Sequence, residues 1–478
     1  MEEPPNKPLP SWCSPFALLM IFCSMAMLNY IDRGVIAANA IKDQVSDLFE
    51  LDNAQYFLYP SMFMVGIMVS SPIFAQLTKT IAPFRLIGVG LSVWCIATAG
   101  CGLAWDYWSL LFFRMLVGVG EASFCSMAAP FIDDCAPKDK KATWLAIFYM
   151  CIPTGIAFGY IFGGVVVSLT GTWRAAFFLE CLLMVPFVLF CFFSPPIRLR
   201  GAKPESQPLV DVGEGEDVQV PAELWKEKTQ RFASEMWADT RTLFSHKVFT
   251  FATLGYVTYT ATCGVLINAG PTAGAALFPN DFQGWLSVDE AFGAMTCVTG
   301  VVGTASGGYI LDRMVPNMHG AMKVCMVSMA VCTVLLVACF QVQNLGGFMF
   351  MLAMAELALF AVSGPVNAGY MWSIPPELRP LACALVTITI HICGDVPSPP
   401  LAGWFTDYLQ KNMDYTEADA WRFCMTASFS GVAGSALLWG SAMFMARTER
   451  DYGAEASAAE RARMGDEDTP TTPLLADA

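Results

Sequence analysis

The sequence predicts an all-α polytopic membrane protein with twelve transmembrane helices in two six-helix halves. Three observations carry the prediction. Of 478 residues, 55% are hydrophobic and only 14% charged, too little charge for the surface of a soluble domain. About twelve apolar runs reach the roughly 20 residues a helix needs to cross the hydrocarbon. The runs divide six and six around one long polar segment.

In order, a polar, proline-rich start (1–14, MEEPPNKPLPSW onward) reads as a cytoplasmic segment. The first run, 15–37, contains a charged pair, so it reads as an uncleaved first helix rather than a signal peptide. Runs near 54–77, 85–105, 109–132, 143–168 and 174–195 complete an N-terminal half over 15–195. Residues 196–246 form the linker. Its first part, PPIRLRGAKPESQPLVDVGEGED, is polar and rich in Pro, Gly and acid. Its second part spaces Leu224, Phe232, Met236 and Trp237 as an amphipathic surface helix. Runs near 247–268, 287–311, 321–341, 346–373, 379–403 and 423–446 build the C-terminal half over 247–446, and 447–478 is an acidic tail expected to be disordered. In the seventh run, Asn268, Gly270, Pro271 and Gly274 read as an outer-loop turn in preference to a broken, cavity-facing helix.

Lys and Arg placement sets the orientation. Lys79, Arg85, Lys138, Lys140, Lys141, Arg198, Arg200, Lys203, Arg313 and Arg379 fall on one side, against few such as Lys42 and Lys411 on the other. Both termini and the linker are therefore expected in the cytoplasm. Six plus six with a cytoplasmic linker is the architecture of the major facilitator superfamily. SSPIFAQLTKTIAPFR after the second run and TASGGYILDRMVPNM after the eighth stand at equivalent places in the two halves.

The net charge of −14 sits in the linker and tail and offers no basic footprint for nucleic acid. The 17 cysteines lie mostly in apolar runs without CxxC spacing, so neither disulfides nor a metal site is expected. No GxSxG, HExxH or phosphate-binding loop occurs. An enzyme is therefore not expected, and no cofactor is implied.

Charges at bilayer depth cost roughly 2.5 kcal/mol or more and so call for a partner or a function. Four places stand out. NYIDRGVIAA puts Asp32 and Arg33 near the end of the first span, as a membrane-edge pair or with Asp32 facing a cavity. RMLVGVGEASF puts Arg114 and Glu121 two turns apart on one face, about 10 Å by helical rise. That is too far for contact, so Arg114 needs a third group such as Asp32. Gly118 and Gly120 permit close helix packing. GGYILDRM places Asp312 and Arg313 at the cytoplasmic end of the eighth span, as a gate contact or a solvated pair. HICGDVPSPPLAGWFTD sets His391, Asp395 and Asp407 around a proline-rich break. Backbone exposed by such a break is tolerated only against protein or water, so Gly394 to Pro400 is expected to face the central cavity. His391 lies one turn before Asp395 on the same face.

These residues carry a specific likeness. NYIDR, RMLVGVGEAS, AIFYMCIPTGIAFGY, SIPPELRPLACA and HICGDVPSPPLAGWFTD together resemble the Spinster family of the major facilitator superfamily, over about residues 15–445. The resemblance implies proton-linked or facilitated movement of a lysophospholipid or sphingoid phosphate by alternating access. It implies that Asp32, Arg114 and Glu121 form the protonation network. An amphiphilic anion would then meet Arg114, His391 and Asp395. Arg33, Asp312, Arg313, Pro397 and Pro399 are the expected gating residues, and protonation of Glu121 or Asp32 is expected to free Arg114. The partners would be a lipid substrate, protons and the membrane around a monomer. One departure is plain: the loop after the second span reads AQLTKTIAPFR, with Thr78 and Lys79 where facilitators carry an acid, so this gate is expected to be weakened or rewired. A small-anion exporter and a non-transporting lipid sensor are the alternatives. Leu474 and Leu475 behind acidic residues resemble a dileucine sorting signal, though Pro470 stands where its acid belongs. The expected address is therefore the plasma membrane or an endolysosomal membrane.

Overall fold

The computed structural model describes residues 14–77, 81–135, 141–194, 234, 237–281, 287–314, 317–375, 378–452 and 455. Among them, twelve helices are long and apolar enough to cross a membrane. Numbered as spans 1 to 12, they are Pro15–Ala37, Asn53–Phe74, Pro83–Leu103, Tyr107–Ala128, Ile147–Thr170, Arg174–Phe193, Lys247–Leu277, Val288–Arg313, Met318–Cys339, Leu345–Trp372, Leu381–Met413 and Glu417–Met445. An even number returns the chain to the face it started from. That face is the terminal face; the opposite one is the distal face.

Spans begin where the sequence supplies an oxygen for orphan N–H groups. Ser14, Asn317, Asn344 and Thr416 each accept from the backbone three residues on. Ser287 and Glu290 form a reciprocal capping box at span 8. The residues following span 12 do similar work between elements. Glu449 accepts from the backbone N–H of Lys247 and Val248 at the start of span 7, at 2.8 and 3.1 Å. Asp451 accepts from Met318 at the start of span 9, at 2.7 Å. The expected disordered tail is corrected for this stretch: two acids there neutralise helix N-termini.

The two halves repeat one pairing scheme. Span 1 packs on 5, 2 on 4, 3 on 4 and 3 on 6; likewise 7 on 11, 8 on 10, 9 on 10 and 9 on 12. Span 4 is held hard against its neighbours. A Cβ on Gly118 would lie 2.0 Å from the Phe63 carbonyl oxygen, and one on Gly120 would lie 2.5 Å from the Trp94 nitrogen. These glycines bring Arg114 and Glu121 into the centre of the N-terminal half. Outward, apolar side chains such as Leu182, Phe193, Val334 and Leu437 are exposed, as suits a surface clothed in lipid.

Three further expectations are corrected. Span 7 runs unbroken through Asn268, Gly270, Pro271 and Gly274 to Leu277, with no loop turn there. Proline removes only the bond to the carbonyl four residues back. That carbonyl, on Ile267, accepts instead from the Tyr160 hydroxyl of span 5 at 2.7 Å. Between spans 1 and 2 an extra helix, Asn39–Phe49, replaces the expected loop, closed by Glu50 in the left-handed conformation at φ 53°. Span 11 does not break. His391–Asp395 form a π turn, with Val396 N–H donating to His391 O at 3.2 Å, and the α-helix resumes at Ser398. Its prolines fall in that first turn, where a missing N–H costs least.

Most of the linker, Lys79, Lys138, Lys140 and the dileucine lie outside the described residues; of the amphipathic stretch, residues 237–245 are helical, with Leu243 buried and Trp237 exposed.

Candidate functional site

Asp32 and Arg33 are neighbours in sequence and part company in space. Arg114 Nη1 donates to Asp32 Oδ1 at 2.8 Å, both side chains being fully buried. Arg33 Nη2 donates to Glu121 Oε1 at 2.5 Å; Glu121 is fully buried and Arg33 is 18% exposed. Consecutive residues of span 1 thus engage residues seven apart on span 4. The membrane-edge reading is corrected, because both pairs lie within the helix bundle. The expected link from Glu121 to Arg114 is corrected too: Glu121 pairs with Arg33, and it is Asp32 that pairs with Arg114.

The Phe63 ring serves both cations, with Arg33 Cζ 4.9 Å and Arg114 Cζ 5.3 Å from its centroid. Tyr30 stacks on Arg33 at 4.7 Å. Aromatic faces lower the cost of holding guanidinium groups away from water. The pairing still leaves polar atoms over. Among the described residues Asp32 Oδ2, Glu121 Oε2, Arg33 Nε and Arg114 Nε and Nη2 have no hydrogen-bond partner.

A cavity of about 170 Å³ opens beside these pairs, between the halves. Arg33, Arg114 and Phe63 wall it from one side; Cys263, Asn268 and Asp395 wall it from the other. Arg33, expected at a gate, therefore stands in the cavity wall. His391 Nδ1 lies 2.9 Å from Asp395 Oδ1, so the π turn presents Asp395 to the cavity with His391 behind it. The rest of Gly394 to Pro400 does not share that face, which corrects the expectation. Gly394 packs on Thr260, while Pro397 and Pro400 look into the seam between spans 2 and 11 beside Leu58, Tyr107 and Trp404.

Asp312 and Arg313 are exposed at the terminal-face end of span 8, where Arg313 covers the Tyr309 ring at 5.0 Å. Asp407 lies not at the break but at the distal face, and Asp289 joins it. Asp289 accepts from the backbone N–H of Asn39 and Ala40 at 2.7 and 3.1 Å. Asp407 accepts from Asn53 Nδ2 and Ala54 N–H at 2.8 and 3.1 Å. Both carboxylates belong to the C-terminal half and both cap helix starts of the other half. Lys411 adds an ion pair to Asp52 at 2.8 Å.

Other buried acids escaped the sequence reading. Glu356 on span 10 is fully buried and bonded to the hydroxyls of Thr296 at 3.2 Å and Thr299 at 2.5 Å. It edges a small pocket shared with Tyr160 and Cys263. Glu180 on span 6 is also fully buried. Each is a single acid in an apolar run (AMAELALF, FFLECLL), the same signal that marked Glu121.

Two six-helix repeats around a central cavity walled by buried ion pairs define a membrane transporter of the major facilitator class. The family model for the Major Facilitator Superfamily matches residues 22–394. The chain belongs to the Spinster family within that class. It is 41% identical to the Arabidopsis thaliana "Probable sphingolipid transporter spinster homolog 2", over 92% of this chain and 89% of that protein. It is 27% identical to the human "Protein spinster homolog 1", over 91% and 81%. In fold it is similar to a bacterial homolog of the human lysosomal transporter Spinster, solved inward-facing and unoccupied, with a TM-score of 0.71, 18% identity and coverage of 91% and 98%.

Proposed function

We propose that the chain moves a lysophospholipid or sphingoid phosphate by alternating access, with transport linked to protons. The observation that carries this reading is the pair of guanidinium groups, Arg33 and Arg114, in the cavity wall, each held by its own buried carboxylate. An anionic headgroup entering the cavity competes with Asp32 and Glu121 for those cations, and a proton on either acid resolves the competition. Binding of anion and proton are then mutually favourable, which is the requirement for coupling. The names of the plant relatives point the same way in substrate class. At about 170 Å³ the cavity falls short of the roughly 300–1,000 Å³ of ligand pockets. It admits a headgroup, and a lipid tail requires the seam between the halves to part. The same size favours the second reading, a small organic anion.

Asp289, Asp407 and Lys411 close the distal face in this state. The lysine and arginine bias supports cytoplasmic termini, and on that orientation the cavity serves the cytoplasmic side. The address remains the plasma membrane or an endolysosomal membrane.

The test is flux into liposomes under an imposed pH gradient, following labelled sphingosine-1-phosphate and lysophosphatidylcholine for wild type and Glu121→Gln. Gradient-driven lipid flux that the substitution alters supports the reading. Lipid flux indifferent to gradient and substitution removes the proton link. Flux of small anions alone selects the second reading, and binding without flux a sensor.

A further inference from the structure

Glu180 lies in the first half of span 6 with its side chain fully buried, and among the described residues neither carboxyl oxygen has a hydrogen-bond partner. It is close enough to Asp32 and Arg114 to feel both charges. Span 6 packs on spans 1, 3 and 5. Span 1 offers Asp32, span 3 offers the Cys101 thiol beside Arg114, and span 5 contains no acidic or basic residue. Arg114 reaches over from span 4. The cluster thus holds two carboxyl groups and one cation, since Arg33 is already committed to Glu121.

The geometry on Arg114 is one-sided. Nη1 is used by Asp32, while among the described residues Nε and Nη2 have no hydrogen-bond partner, only the Cys101 thiol lying beside the guanidinium. A guanidinium is a rigid fork with donors on two edges, so a second carboxylate has an edge to take. A buried carboxylate with no counter-charge is strongly disfavoured, and among the described residues Asp32 already holds the one cation in reach. Charge balance therefore leaves Glu180 protonated.

We propose that Glu180 is the alternate partner of Arg114 and stores the proton that Asp32 exchanges. In the hand-over, the O–H bond of Glu180 breaks and an O–H bond forms on Asp32 Oδ2, which among the described residues has no hydrogen-bond partner. The Glu180 carboxylate then takes the free edge of Arg114. Proton count and net charge are the same before and after. Asp32 can thus let go of Arg114 without leaving a bare buried cation. Glu180 is a positioning residue that acts through Arg114 and Asp32. Its role in transport rests on the proton-linked reading above; the exchange itself does not.

The test uses the full chain purified in detergent. Infrared spectra of wild type minus Glu180→Gln are expected to show a protonated carboxyl band at neutral pH, assigned to Glu180. In Asp32→Asn that band is expected to give way to a carboxylate band, because Glu180 ionises to serve Arg114. Thermal midpoints supply the second measurement. Glu180→Gln, which mimics the protonated acid, leaves the midpoint near wild type. Asp32→Asn stays folded, and the double variant loses at least twice the sum of the single losses, or does not fold while both singles do. An ionised Glu180 in wild type, an acid band that persists in Asp32→Asn, or additive losses in a folded double variant each overturn the proposal. Wild-type flux that ignores a pH gradient removes the proton-linked reading and leaves these outcomes to decide the exchange.

Discussion

Asp407, on span 11, accepts hydrogen bonds from the Asn53 side chain and the Ala54 backbone N–H at the start of span 2. With the Asp289 contact to Asn39 and Ala40, it makes a two-point latch across the distal face. Hydrogen bonds to a charged acceptor are worth about 1.5–3 kcal/mol each, so losing one carboxylate shifts an open–closed equilibrium by an order of magnitude or more. Asp407→Ala and Asp289→Ala are expected to populate a distal-open state. Distances between spin labels introduced at Glu50 and Asp414 report it as a longer component; unchanged distributions would show that the latch does not hold the face.

The hydrogen bond from Tyr160 to the Ile267 carbonyl depends on Pro271, which cannot donate to that oxygen. Pro271→Ala restores an intrahelical donor and takes the acceptor away from Tyr160. A neutral hydrogen bond contributes about 0.5–1.5 kcal/mol, so Tyr160→Phe and Pro271→Ala are expected to favour distal opening by similar, modest amounts. In combination they should do little more than either alone. The same label pair measures this, and additive effects would separate the proline from the tyrosine.

Removing one member of a fully buried ion pair costs about 3–5 kcal/mol, because the partner is left uncompensated. Arg114→Ala strands Asp32 in this way. Arg33 is partly exposed where Arg114 is fully buried, so Arg33→Ala is expected to cost clearly less. Arg114→Lys cannot reproduce the fork and falls between. Thermal midpoints in detergent should rank Arg114→Ala lowest; equal losses at Arg33 and Arg114 contradict the ranking.

Asp106, in the turn before span 4, lies outside the spans. Its carboxyl is held below the ordinary aspartate range by hydrogen bonds from Ser109, first from the side chain and then from the backbone. A depressed folded-state value contributes stability that is full above the unfolded value and disappears as pH falls through the folded one. Asp106→Asn is therefore expected to flatten the acid limb of the stability profile, leaving neutral pH little changed. A limb identical to wild type would show that Asp106 contributes nothing to it.

Twelve spans, the halves and the meeting of Asp32 with Arg114 were legible because an isolated charge in an apolar run is its own signal. The partner of Arg33 was not: Glu121 was read together with Arg114 on the same face of span 4, and only the rotation of span 1 sets Arg33 against it. The distal latch left no charge pattern, since Asp289 and Asp407 bind backbone N–H groups, which every sequence supplies. Pro271 was misread as a turn because proline beside glycines looks alike in a loop and in a helix whose freed carbonyl finds another donor. Glu180 and Glu356 carried the signal that marked Glu121 but no neighbouring motif.

Glu356 shows what a buried acid needs when no cation is at hand. Its two oxygens meet Thr296 and Thr299, one helical turn apart on span 8. Glu356→Gln keeps an oxygen to accept from one hydroxyl and an N–H to donate to the other, so it is expected to leave stability within about 1 kcal/mol of wild type. Glu356→Ala removes both bonds and opens a void beside Cys263 and Tyr160, at an expected cost of about 2–5 kcal/mol. Thr299→Val removes one bond at the site and should cost about 1–3 kcal/mol. Denaturation in detergent checks the order. If Glu356→Gln proves as damaging as Glu356→Ala, the site needs the acid itself, and Glu356 belongs with Asp32 and Glu121 among the groups whose protonation the cycle uses.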